Sequence, residues 1–101
     1  MDIVVKATEV SEDEPKQVCV PGRGPIAIYF AEGAYYATDD TCTHGEASLA
    51  EGQLDGFKIE CPFHAGFFDI RTGEALGYPV TENVRTYPVT LHGDTLIIQL
   101  D

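Results

Sequence analysis

Two short segments concentrate residue types that bind metals. Cys42-Thr43-His44 sets a thiol and an imidazole two positions apart, and Cys61-Pro62-Phe63-His64 sets a second pair three positions apart. Sixteen residues lie between His44 and Cys61. Each pair is close enough in sequence for one loop to present both donors. As thiolates and neutral imidazoles, Cys42, His44, Cys61 and His64 make a four-donor set that suits either Zn²⁺ or an iron–sulfur cluster.

The neighbouring residues narrow the choice. A common zinc-finger spacing puts both cysteines in one knuckle and both histidines in another. Here each knuckle holds one of each, which is poor for a finger and natural for a cluster gripped by two loops. Phe57, Ile59 and Cys61 share one side of a period-two strand, with Lys58 and Glu60 on the other, so Cys61 starts inside. Pro62 then turns the chain so that His64 comes back over it. Gly45 and Gly66 follow the two histidines, where backbone must pass close to something bulky. Phe63, Phe67 and Phe68 are expected to wall off one side.

The elements that must hold these loops read as strands. Gln17 to Val20, Ile26 to Ala31 and Tyr35 to Thr38 are runs rich in β-branched and aromatic residues, the last two separated by a Glu32-Gly33 turn. Asp55-Gly56 marks a hairpin. Phe67 to Ile70 is a further strand, closed by Arg71-Thr72-Gly73-Glu74. At the end of the sequence Tyr87, Val89 and Leu91 alternate onto one face, His92-Gly93-Asp94 turns, and Leu96, Ile98 and Leu100 point inward. Ser11 to Glu14 resembles a capping box, but no apolar run follows and Pro15 comes next, so it reads as a polar loop. Asp39 to Gly52 and Pro62 to Gly66 break the strand rhythm as loops. The expectation is a small antiparallel all-β fold in one domain, residues 1–101.

Charge and composition exclude several functions. Six Lys and Arg against 17 Asp and Glu give a formal net charge of −11, which repels phosphate backbones and anionic lipid. No nucleic-acid or membrane partner is expected; the charge suits a basic protein partner, or solubility alone. Glu46, Glu51, Asp39, Asp40 and Asp55 form either a docking rim or a solvated face. Asp2, Lys6 and Glu9 interrupt the N-terminus before an apolar targeting segment forms, and the longest apolar run, Ile26 to Ala31, is far short of a membrane span. The odd number of cysteines points to a reducing, cytoplasmic compartment. Cys19 reads as a buried small hydrophobe and His92 as a solvated turn residue. Gly22-Arg23-Gly24-Pro25-Ile26-Ala27 superficially fits a dinucleotide fingerprint, but a strand follows where a helix is required. With only His92 beyond the two knuckles, an oxygen-activating site of two histidines and a carboxylate cannot be built. The chain has the means to hold and pass an electron, not to oxidise a substrate.

Cys42-Thr43-His44-Gly45 and Cys61-Pro62-Phe63-His64-Ala65-Gly66 resemble the two cluster-binding loops of Rieske [2Fe–2S] proteins. More narrowly, the chain is similar to the soluble Rieske ferredoxins that serve aromatic-ring-hydroxylating dioxygenases. The likeness runs through Tyr36-Ala37-Thr38-Asp39 and Pro79-Val80-Thr81-Glu82-Asn83. It implies a Rieske-type sandwich with both cluster-binding loops at one end. Cys42 and Cys61 would bind the inner iron as thiolates, and His44 and His64 the outer iron as neutral imidazoles. Pro79 would lie in a third loop covering the cluster.

The implied role is a one-electron carrier, not an enzyme. It would link a flavin-dependent NAD(P)H ferredoxin reductase to a terminal oxygenase, most simply as a monomer. A Rieske carrier for another oxygenase or reductase, and a zinc-bound structural module, are the alternatives. Two ferric ions, two sulfides and two thiolates sum to zero charge, whereas an all-cysteine cluster is doubly negative before reduction; neutral histidines therefore ease electron uptake. The respiratory branch of the family carries a further disulfide-bonded cysteine in each loop, at positions matching Ala47 and Phe63. It also carries hydroxyls aimed at the cluster, at positions matching Gly66 and Phe68. Fewer donors to sulfur imply a potential at the low end of the Rieske range, roughly −150 mV.

Overall fold

The computed structural model describes residues 1–43, 47–62, 66–76 and 82–100. Eleven strands are present among them, all paired antiparallel. They are β1 (Asp2–Lys6), β2 (Lys16–Val18), β3 (Ile26–Ala31), β4 (Ala34–Asp39), β5 (Leu54–Asp55), β6 (Lys58–Glu60), β7 (Phe67–Asp69), β8 (Ala75–Leu76), β9 (Thr86–Tyr87), β10 (Val89–His92) and β11 (Thr95–Gln99). Two single 3₁₀ turns, Ala7–Glu9 and Leu49–Glu51, are the only helical elements among the described residues.

The strands form three sheets, ordered β1-β11-β10, β2-β3-β4-β9 and β5-β6-β7-β8. The middle one is shared, and β3 shows why. Its sequence, IAIYFA, is apolar at every position, as suits a strand covered on both faces. Ala27, Tyr29 and Ala31 point into one core with Leu49, Ile59, Phe68 and Ile70. Ile26 and Ile28 point into the other with Val5, Leu96, Ile98 and Leu100. β4 follows the same alternation: Ala37 lies opposite Ile28, and Thr38 opposite Ala27. The all-β antiparallel expectation is met, as two sandwiches sharing one sheet.

Individual elements depart from the sequence reading for identifiable reasons. β1 was not expected; Ile3, Val4 and Val5 form a run too short to stand out, but β11 pairs with all five of its residues. The hairpin turn expected at Asp55-Gly56 shifts by one residue. Asp55 pairs with Lys58, so Gly56, at φ 61°, and Phe57 make the turn. The strand expected at Gln17 to Val20 runs instead over Lys16–Val18, and Cys19 is exposed, not the buried small hydrophobe the sequence suggests. The flanking Val18 and Val20 turn inward, and a period of two therefore turns Cys19 out. Leu91 lies opposite buried Leu96 but is 51% exposed, because β10 is an edge strand and the core stops short of its end. Ser11 to Glu14 is a polar, exposed loop, as expected.

Candidate functional site

Each of the two expected metal-binding loops opens on a buried cysteine and closes on itself. The Cys42 N–H donates to the Ala47 carbonyl at 2.9 Å, and the Cys61 N–H donates to the Gly66 carbonyl at 3.0 Å. Both closures span the same number of residues. Strands frame each loop: β4 leads toward the first, and β6 and β7 flank the second. Cys42 and Cys61 are both 2% exposed and belong to one apolar core with Tyr29, Ile59 and Phe68. The inward setting read for Cys61 from Phe57 and Ile59 is observed. His44 and His64 lie outside the described residues, as do Gly45, Glu46, Phe63 and Pro79.

Asp40 anchors the first loop. It is 1% exposed, and its four hydrogen bonds reach three other segments. Its N–H donates to the Pro25 carbonyl (3.0 Å), and its own carbonyl accepts from the Leu49 N–H (2.7 Å). Its carboxylate accepts from the Ala50 N–H (2.9 Å) and from Gln17 Nε2 (2.7 Å). Asp40 therefore belongs to neither a docking rim nor a solvated face, which corrects the reading of it as one of five surface acids. No local pattern marks it: its partners Gln17, Pro25 and Ala50 lie on other segments and meet it only in the fold. Glu51 and Asp55 are exposed, as expected.

The segment after the third expected loop is tied to the first loop and to β8. Thr43 Oγ1 donates to the Glu82 carbonyl at 2.7 Å, and Asn83 Oδ1 accepts from the Ala75 N–H at 3.0 Å. Gly73 allows a close approach: at φ 81° its N–H reaches the Asp69 carbonyl, and an added Cβ would sit 2.0 Å from the Val84 carbonyl oxygen.

The positions matching hydroxyl or extra cysteine residues elsewhere carry none here. Ala47, Gly66 and Phe68 are all buried, Phe68 completely, and Phe67 is half-buried beside it. The buried phenol of Tyr29 bonds to Thr38 Oγ1 at 2.9 Å, and burial pushes its pKa far above the usual phenol range. On the far side of β4 the Tyr87 hydroxyl donates to Asp39 Oδ1. Burial first, and then that carboxylate, raise the Tyr87 pKa. No disulfide joins the cysteines. Two thiols at the mouths of matched loops, in one buried apolar core, fit a group that takes two thiolates from the protein interior.

Comparisons with known proteins agree with this geometry. The Rieske [2Fe-2S] domain family matches residues 2–88. The chain is 48% identical over 92 residues to the naphthalene 1,2-dioxygenase system ferredoxin component of Pseudomonas aeruginosa, covering 91% of this chain and 88% of that protein. Among solved structures, the Sphingomonas yanoikuyae B1 ferredoxin superposes with a TM-score of 0.90 at 40% identity, covering 95% of this chain and 94% of that one. A chain in the complex of reduced oxygenase and oxidized ferredoxin in carbazole 1,9a-dioxygenase superposes with a TM-score of 0.87 at 38% identity, covering 95% and 92%.

Proposed function

The chain belongs to the Rieske [2Fe-2S] domain family, and on that premise we propose that it is the one-electron carrier of an aromatic-ring dioxygenase system. It takes an electron from a flavin-dependent NAD(P)H reductase and delivers it to a Rieske terminal oxygenase. It is itself not an oxygenase. The reading is carried by one observation: two buried cysteines, each at the mouth of an identically closed loop, enter the same core.

When bound, a [2Fe–2S] cluster supplies reversible uptake of a single electron. Cys42 and Cys61 would hold it as thiolates, and His44 and His64 would complete the ligand set as neutral imidazoles. The protein's own contribution is positional. Asp40 and the two backbone closures fix the loop bases, so the thiolates need not reorganise. Phe68, Ile59 and Tyr29 keep water from the sulfur side. Ala47, Gly66 and Phe68 offer no side-chain donor to sulfur, which supports a potential near the low end of the Rieske range, roughly −150 mV. Among the described residues no helix is long and apolar enough to cross a membrane. The carrier acts as a single-domain cytoplasmic monomer whose complexes are transient, because a shuttle must leave as readily as it docks.

Absorption and EPR spectra of the dithionite-reduced protein test the reading. The expected result is a red-brown protein, EPR-silent when oxidised, with a low-average-g signal on reduction. A colourless protein holding stoichiometric zinc would overturn it in favour of a structural module. Reconstitution with reductase and terminal oxygenase then tests the client.

A further inference from the structure

Two of the few cations in this acidic chain converge on one cleft. The cleft, about 290 Å³, is lined by Arg23, Arg85, Tyr87, Asp39 and Thr41 among others. Thr41 is the chain neighbour of Cys42, so the cleft opens beside the first cysteine loop. The Arg23 and Arg85 guanidiniums lie 5.3 Å and 5.1 Å from the centroid of the same Tyr87 ring. Arg23 is anchored: it donates to the Tyr87 hydroxyl oxygen at 2.8 Å and to the Leu100 carbonyl at 3.4 Å. Arg85 is exposed.

Among the described residues the charges lining this cleft do not cancel. Among the described residues the ion pairs are Lys16 with Glu9 and Arg71 with Asp69, so neither cleft arginine has a carboxylate within ion-pair distance. Asp39 is the cleft's own acid, and it accepts the Tyr87 hydroxyl. Among the described residues, two cations and one acid held around one ring make a positive notch in a chain of net charge −11. Guanidinium forks match a carboxylate in shape and charge, and an incoming carboxylate would relieve the repulsion between the two cations.

Resting on the carrier reading above, we propose that this notch receives a carboxylate side chain of the terminal oxygenase and sets the rotational register of docking. A uniformly acidic surface attracts a basic face in many orientations. A single site of opposite sign selects one of them.

The test uses the cluster-loaded protein carrying Arg85→Glu, an exposed position outside the core. If net charge alone governs docking, a net charge more negative by two units leaves binding to a basic face unchanged or tighter. A register contact has the opposite sign. The expected result is about tenfold weaker binding to the terminal oxygenase by calorimetry, and a matching fall in the second-order rate of its reduction. Arg85→Lys, which keeps the charge, should recover most of the loss. Lys6→Glu, an exposed charge reversal on β1 outside the cleft, should cause no loss. Unchanged EPR spectra and an unchanged rate of reduction by the reductase show that the effect belongs to oxygenase docking. Binding by Arg85→Glu equal to or tighter than the parent, or an equal loss in Lys6→Glu, would overturn the proposal. If the unaltered protein passes no electron to the oxygenase, the carrier reading itself falls and takes this proposal with it.

Discussion

The two cores on either side of β3 are built differently. The one beneath β1 and β11 is held by strands that do their own work: five consecutive residues of β1 pair with five of β11, and Leu96, Ile98 and Leu100 close the interior. The core with Cys42 and Cys61 lies under β5 to β8, strands of two or three residues each. Loop closures and the Asp40 anchor supply much of its order. Long ladders with aliphatic interiors stand by themselves. Short strands around two thiols leave stability to be added by whatever the thiolates hold, because metal binding then contributes folding free energy.

The largest effect should come from removing a thiolate. Cys42→Ser and Cys61→Ser are each expected to abolish the visible absorption of the cluster. Hydrogen exchange should speed up in β5 to β8 while β1, β10 and β11 keep their protection. Uniform loss of protection would mean that the two cores unfold as one unit.

Single core truncations sharpen the same contrast. Phe68→Ala removes a fully buried ring from the cysteine-bearing core and should cost about 3–5 kcal/mol in the loaded protein. Ile98→Ala in the other core should cost about 2–5 kcal/mol. Urea melts with and without the cluster separate the two. The Ile98 cost should be the same in both states, whereas the Phe68 cost should shrink once the cluster is lost and its core is already loosened. Equal costs in both states would contradict the difference drawn between the cores.

Asp40→Ala should cost about 1–3 kcal/mol, because it leaves the Ala50 N–H without its acceptor at the base of the first loop. Asp40→Asn keeps an acceptor oxygen and should cost less. Tyr29→Phe should cost about 0.5–1.5 kcal/mol, since Thr38 Oγ1 still donates to the Asp39 carbonyl at 2.8 Å. Chemical denaturation ranks the three. An Asp40→Ala variant as stable as Tyr29→Phe would remove Asp40 from its anchoring role.

Residues whose environment is set by local pattern were legible in the sequence. β3 reads directly as a strand because every position is apolar, and Cys61 inherits its inward setting from Phe57 and Ile59. The two cysteine loops stand out because their residue types have few other uses at that spacing. What stayed hidden depends on distant partners. β1 forms because β11, at the other end of the chain, offers it a ladder. Leu91 has the right parity to be buried, but burial also needs a core beneath it. Asp40 looked like one surface acid among several, since its Gln17, Pro25 and Ala50 partners converge only in the fold. The Arg23–Arg85–Tyr87 cluster joins positions far apart in sequence, and no motif marks it.

The smallest expected effect is a pH response confined to the cysteine-bearing side. Asp69, at the end of β7, accepts from Arg71 Nε at 3.1 Å and Nη2 at 2.9 Å, and from the Arg71 backbone N–H at 2.8 Å. The Arg71 guanidinium lies 4.0 Å from the centroid of the Phe57 ring, which itself packs on the core holding the cysteines. The hydrogen bonds from Arg71 hold the Asp69 carboxyl below the usual carboxylate range. The unfolded chain therefore takes up this proton at a higher pH than the folded one. The stabilisation is complete above the unfolded value, about 3.9, and is lost as pH falls through the lower folded value. The pair is exposed enough for salt to screen it, so the contribution is small and should shrink at high ionic strength. In the parent protein stability should fall more steeply with acid than in Asp69→Asn, and exchange should accelerate in β7 before it does in β11. Parallel acid limbs for the two proteins would show that this pair contributes nothing to holding the short-stranded side closed.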